Sequence, residues 1–345
     1  MLAELLARAR EERVFSAAAW SVGTADGVLS RGVLGTRWWD GPPAGETNRW
    51  DLASVTKPVV AIVVAALAER GTLSLDDPLP RHLPSYADTD KAPITVRQLL
   101  THTSGLPGGT PLWRTHGTPE SLLEAIRTTP LPVAPGSRVE YSSQGFILLG
   151  LIASAAAGRP LDDLVAEYVT TPAGLRDTGF GPVRDAVATE DCGWRGHVVT
   201  GQVHDENAVV LGGICGHAGL FAPLADVERL GRVLAGGAAP LLKPATHAEM
   251  TANHTTGLRR GLGWQGLDVP GSPVGVALEP DSYGHTGYTG TSLWVEPGRR
   301  RYYVLLTNRV HPSRTSNAIT EVRRRFHDAA VRLRASSSSG PHSRG

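Results

Sequence analysis

An α+β fold with a helical insertion follows from three features of this 345-residue chain. β-rich runs lie near its start at 14–22 and 28–38, a second β-rich set lies at 292–295 and 301–307, and between them residues 73 to about 175 carry helical patterns and no strand pattern. Strands supplied by both ends of a chain imply one sheet shared by the termini. The expected organisation is a single domain over 1–334. An α/β lobe of about 1–72 and 256–334 encloses a mainly helical lobe of about 73–255, and a serine-rich tail, 335–345, is expected to be disordered.

Taken in order, MLAELLARAREERVF interrupts its apolar residues with charges at helical spacing, which predicts an amphipathic surface helix and not a signal peptide. The two following β-rich runs flank Gly23-Thr-Ala-Asp-Gly27, turn residues that predict a hairpin. Residues 51–70 read as a helix apolar on all sides, stopped by Gly71 and passing through the centre of the molecule. Its longest apolar run, 58–68, is too short for a bilayer that needs about 20 residues. Thr95 is expected to cap a short helix, with further helices at 119–127, 143–157 (ended by Gly158) and 160–169. Residues 179–219, rich in Gly and His with little periodicity, read as functional loops over a site. Helices at 223–235, 244–253 and about 315–333 complete the assignment.

Composition excludes several function classes. A net charge of +1 with both signs interspersed gives no basic stripe and no acidic tail, so neither nucleic acid nor an anionic membrane is an expected partner. A small-molecule substrate is. Cys192 and Cys215 lack CxxC spacing and are expected to be free thiols in a cytoplasmic protein. No sequence feature sets the oligomeric state.

Chemistry enters with lysine usage. Lys and Arg together number 34, yet only Lys57, Lys91 and Lys243 are lysines. Lys57 follows Ser54 by three positions, so both sit on one helix face. Arginine stays protonated, whereas a desolvated lysine can release its proton, and a hydroxyl beside such an amine is an activated nucleophile. Downstream, Tyr141 precedes an apolar helix, and His285-Thr286-Gly287 opens a predicted hairpin.

Five segments in order, Ser54-Val-Thr-Lys57, LLTHTSGLP at 99–107, Tyr141-Ser-Ser143, GHAGLF at 216–221 and His285-Thr-Gly287, give the resemblance. The chain resembles the β-lactamase and penicillin-binding-protein superfamily, most of all the class C-like serine hydrolases that include esterases and low-molecular-mass peptidases. That resemblance implies an antiparallel sheet flanked by the N- and C-terminal helices, with the site between sheet and helical lobe. It implies Ser54 as the acylated nucleophile, Lys57 and Tyr141 as the coupled base, and the N–H groups of Ser54 and Tyr288 as the oxyanion hole. Ser143, His285, Thr286 and Gly287 would contact substrate, and no cofactor is implied.

Two positions depart from the family. Ser143 stands where Asn is frequent, and His285 where Lys is usual. A histidine of ordinary pKa, about 6.5, is mostly neutral at pH 7 and would charge toward pH 6. Neutral esters are therefore expected to be better substrates than anionic penicillins.

Other readings compete. His197, His204, Asp205, Cys215 and His217 crowd one segment, but none falls in HExxH or paired-CxxC spacing, so loop packing beside the site is expected and no metal. There is no GxSxG elbow, no P-loop and no GxGxxG fingerprint. His102 and Ser104 in THTSG are expected to be structural, and the eight tryptophans to form core or cleft wall. The alternatives to a serine hydrolase of esters or amides are a transacylase using the same acyl-enzyme, a D-amino-acid peptidase or weak β-lactamase, and a non-catalytic scaffold.

Overall fold

A computed structural model describes residues 1–334; the serine-rich tail lies outside the described residues. The strands are β1 (Ala17–Thr24), β2 (Val28–Gly35), β3 (Trp50–Asp51), β4 (Gly179–Phe180), β5 (Ala188–Cys192), β6 (His197–Thr200), β7 (Leu220–Ala222), β8 (Gln265–Gly266), β9 (Tyr283–Thr286), β10 (Ser292–Glu296) and β11 (Arg301–Thr307). Six of them form one antiparallel sheet in the order β2-β1-β11-β10-β9-β8, so the two chain ends meet where β1 pairs with β11.

Period-2 alternation sorts that sheet's side chains between two cores. Ala18, Trp20 and Val22 of β1, Trp294 of β10 and Tyr303 and Leu305 of β11 face the cluster of α1 (Leu2–Glu11), which also holds Ile319, Val322 and Phe326 near the chain's end. Their neighbours Ala17, Ala19, Leu293, Val295, Tyr302, Val304 and Leu306 join a larger core on the opposite face. At its centre runs α2 (Thr56–Glu69), buried from Thr56 through Leu67, which explains its lack of a polar face.

The helical lobe contains α3 (Val96–Leu100), capped by Thr95 in a capping box with Gln98, α4 (Pro119–Thr128) and α5 (Ser143–Ala157), which Gly158 ends in the left-handed conformation. Then come α6 (Leu161–Val165), a π turn at Ala166–Thr170 and α7 (Thr171–Ala173). The chain returns through α8 (Glu206–Val210), α9 (Leu224–Ala235), α10 (Pro244–Thr251) and α11 (Ile319–Ala330).

Two sequence expectations need correction. The Ser54 segment is not one helix from 51: β3 and a single 3₁₀ turn, Ala53–Val55, precede α2. Residues 179–219 are not only loops either. They hold β4, which joins β3 and β7 in a three-stranded sheet, the ribbon of β5 and β6, and α8, elements too short for a period to register.

Candidate active site

The Ser54 position is built by strain. Ala53, just before Ser54, has φ +46°, a conformation a non-glycine residue holds only when its surroundings enforce it. They do. Asp51 Oδ1 takes the Ala53 N–H at 2.8 Å, Thr289 Oγ1 donates to the Asp51 carbonyl at 2.8 Å and Thr291 Oγ1 to the Leu52 carbonyl at 2.9 Å. The turn carrying Ser54 is thus tied to the β9–β10 turn carrying Gly287 and Tyr288. Burial pushes the Asp51 carboxyl upward, opposed by the N–H groups of His204 and Ala53.

One helical turn on, Lys57 is fully buried. Its Nζ lies 3.0 Å from Ser54 Oγ and donates to the His217 carbonyl at 3.1 Å. The Tyr141 ring completes the group, its centroid 5.0 Å from Lys57 Nζ.

His102 brackets Tyr141. Its carbonyl accepts the Glu140 N–H at 2.8 Å, its Nδ1 accepts the Ser142 N–H at 3.1 Å, and its ring lies 4.6 Å from the phenol ring. It too has positive φ, +58°. Burial, then the Lys57 charge, hold its imidazole well below its ordinary pKa, consistent with Nδ1 as an acceptor. The expected structural role of THTSG is therefore exercised on the site itself.

His285 and Thr286 end β9, and Gly287 follows. A Cβ at Gly287 would lie 2.0 Å from Thr291 Oγ1 and 2.5 Å from the Leu52 carbonyl, so only glycine lets this strand end reach the Ser54 turn. His285 is buried and its Nδ1 contacts the Thr286 carbonyl at 2.9 Å. Burial, and secondly Lys57, hold its pKa at about 3. This corrects the expectation that it charges near pH 6. Its one ring N–H is also spent on its own neighbour.

Ser54 stands where two arms of a cleft meet. The first, about 340 Å³, is lined by His285, Thr286 and Tyr288 and by three guanidinium groups, Arg260, Arg309 and Arg323. Arg260 pairs with Asp268 at 3.0 Å. Arg309 and Arg323 pair with no carboxylate among the described residues. Arg309 Nε donates to the Tyr288 carbonyl, and Arg323 Nη2 to those of Gly287 and Thr291. The second arm, about 250 Å³, is lined by Trp113, Ser143, Asp205, Asn207 and Tyr288. Sequence reasoning missed both arginines, which look like surface charges in an Arg-rich segment.

The His-rich segment divides. His217 Nε2 meets Asp205 Oδ1 at 2.9 Å and its Nδ1 meets Cys215 Sγ at 3.1 Å. His204 instead contacts Glu190 at 3.1 Å, and His197 is exposed beside the Arg195 carbonyl. Glu190, Cys192 and Glu206 bring potential ligand atoms within 4.8 Å of one another. Arg314 bridges both carboxylates, so a cation already occupies their charge.

The family model described as Beta-lactamase matches residues 2–325. The chain belongs to that family. As a Beta-lactamase family member it is a serine hydrolase, and it is 32% identical over 301 residues to an Escherichia coli (strain K12) protein named as a D-alanyl-D-alanine carboxypeptidase, covering 76% of this chain and 69% of that one. Fold likeness extends to EstCE1, a hydrolase with promiscuous acyltransferase activity (TM-score 0.77, 23% identity, 94% of this chain and 97% of that chain). It extends also to the octameric penicillin-binding protein homologue from Pyrococcus abyssi (0.76, 20%, 93% and 75%). Simvastatin synthase from Aspergillus terreus, in a mutant form, shares the fold as well (0.74, 21%, 96% and 93%). Among the described residues no single helix is long and apolar enough to cross a membrane; α5 with the bent segment Leu161–Ala173 passes by length and composition together, and α5 is largely buried.

Proposed function

We propose that this Beta-lactamase family hydrolase cleaves a carboxylic ester or amide through an acyl-enzyme on Ser54. The observation that carries the proposal is the 3.0 Å contact of Ser54 Oγ with buried Lys57 Nζ at the junction of the two arms. The Lys57 amine, with Tyr141 beside it, takes the hydroxyl proton as Oγ bonds to the substrate carbonyl carbon. The oxyanion faces the N–H groups of Ser54 and Tyr288; among the described residues no backbone carbonyl takes the Tyr288 N–H. The leaving group departs with the proton through the first arm, and water enters, yields its proton to the same pair and releases the acid. Ser143, in the second arm, contacts the acyl portion, and His285, Thr286 and Gly287 border the first.

A D-amino-acid carboxypeptidase reading is favoured by one specific feature beside the names of the relatives. Arg309 and Arg323 place cationic groups in the leaving-group arm, and burial lowers Arg323 only to about 9, so it stays charged at neutral pH. This supplies the charge that His285 lacks. Transfer to an amine or alcohol differs only in what displaces water from the acyl-enzyme. We take 1–334 as one catalytic unit and, from the two free cysteines, a reducing cytoplasmic setting.

A fluorophosphonate probe should add to Ser54, and Ser54→Ala should abolish labelling and turnover. Lys57→Arg should retain less than a tenth of kcat/KM, because it keeps the charge and removes the base. Adduct formation elsewhere, as on Ser104, overturns the assignment. Turnover of D-alanyl-D-alanine peptides against p-nitrophenyl acetate separates peptidase from esterase.

A further inference from the structure

We propose that Asp205 and His217 form a positioning pair that holds the Lys57 amine against Ser54. Among the described residues Lys57 Nζ has two polar contacts, Ser54 Oγ at 3.0 Å and the His217 carbonyl at 3.1 Å. That carbonyl is the backstop of the amine, so its own placement fixes where the amine can stand. The turn bearing it is pressed onto α5: a Cβ at Gly216 would fall 2.0 Å from the Phe146 carbonyl, leaving the peptide little room to shift.

The His217 ring sets the rotation of the turn. It is completely buried and held at both nitrogens, by Asp205 Oδ1 at 2.9 Å and Cys215 Sγ at 3.1 Å. Asp205 raises the imidazole pKa against the cost of burial, and the imidazolium holds the carboxyl low. His217 is shut in while the Asp205 side chain keeps 35% of its exposure in the second arm, and an ion pair screened by solvent on one side is a poor stability device. Here the backbone carbonyl of the same histidine joins the pair to the Lys57 amine.

Asp205 is anchored in turn by the second arm. Its Oδ1 caps α8 by accepting the Ala208 N–H at 2.9 Å, and next to it Asn207 accepts the Trp113 N–H at 2.9 Å and donates to the Thr110 carbonyl at 3.2 Å. The wall of that arm, the carboxylate, the imidazole, the carbonyl and the amine form one connected chain of contacts ending on Ser54.

The inference rests on Lys57 being the base for Ser54, and a double-mutant cycle separates the two claims. Fluorophosphonate labelling of Ser54, followed by intact mass, is timed in wild type, Asp205→Asn, Lys57→Ala and the double variant. If Asp205 acts through Lys57, Asp205→Asn should slow labelling roughly 10- to 100-fold in the native background and less than about twofold once Lys57 is gone. Equal losses in both backgrounds mean a structural role and overturn the inference. Should Asp205→Asn fail to fold, Asp205→Glu, which keeps the carboxylate, is put through the same cycle and judged by the same inequality. Absence of labelling at Ser54 in wild type refutes the functional reading itself.

Discussion

His285 shows how a single buried side chain can reverse an expectation drawn from its type. An exposed histidine would charge between pH 8 and 6, but this one is shut in beside Lys57 with a pKa of about 3, and its Nδ1 is committed to Thr286. It stays neutral throughout that interval, while the Arg309 and Arg323 guanidinium groups stay charged. For a substrate pair differing only by a leaving-group carboxylate and its methyl ester, the ratio of KM values should therefore be constant from pH 8 to pH 6. A ratio that moves toward the carboxylate as the pH falls would mean that His285 does charge in the cleft. Sequence alone could not show this. Motif spacing singled out Ser54, Lys57, Tyr141 and His285 as candidates, whereas the burial beside Lys57 that sets the His285 electrostatics is made by chain distant in sequence.

At the scale of elements, the junction between β9 and the 3₁₀ turn of Ser54 carries the greatest demand for geometry. Thr289 and Thr291 donate to Asp51 and Leu52, Arg323 grips the Gly287 carbonyl, and Gly287 leaves no space for a Cβ. Gly287→Ala should push the strand end away from Ser54 and misplace the Tyr288 N–H. Losing one oxyanion donor costs roughly 100- to 1,000-fold in kcat. We expect a loss of that order with far-UV circular dichroism unchanged; a variant within threefold of wild type would show that this contact does not set the oxyanion geometry. Long elements such as α2, α5 and β11 were legible because burial imprints a period or a continuous apolar run on enough residues. β3, β4 and β7 were not, since two or three residues cannot display a period and their pairing is decided by distant chain. The split of the Ser54 helix was hidden for a related reason: Ala53 holds its strained conformation in a turn fixed by the local Asp51 bond and by tertiary bonds from Thr289 and Thr291, not from its own preference.

Across the whole molecule, buried histidines with opposed shifts should give stability a maximum near pH 6.5. His102, His285 and His327 are held neutral by burial, with His285 at about 3 and His327 at about 4. Below their unfolded pKa of about 6.5 the unfolded chain binds protons that the native chain refuses, so stability is lost as the pH falls, by up to about 1.4 kcal/mol per pH unit for each histidine. His217 acts in the other direction. Its pKa is raised by Asp205, so its contribution is fully present below about pH 6.5 and is lost as the pH rises toward the folded value. The lowered carboxyls, Asp205 and Glu190, add stability above their unfolded values, which lie near pH 4, and leave the neutral range untouched. Urea unfolding from pH 5 to 8.5 should trace a peak, and Asp205→Asn should flatten its alkaline side while leaving the acid side in place. A monotonic rise through pH 8 would show that His217 is neutral in the native protein, and the Asp205–His217 contact would then be an ordinary hydrogen bond and not an ion pair.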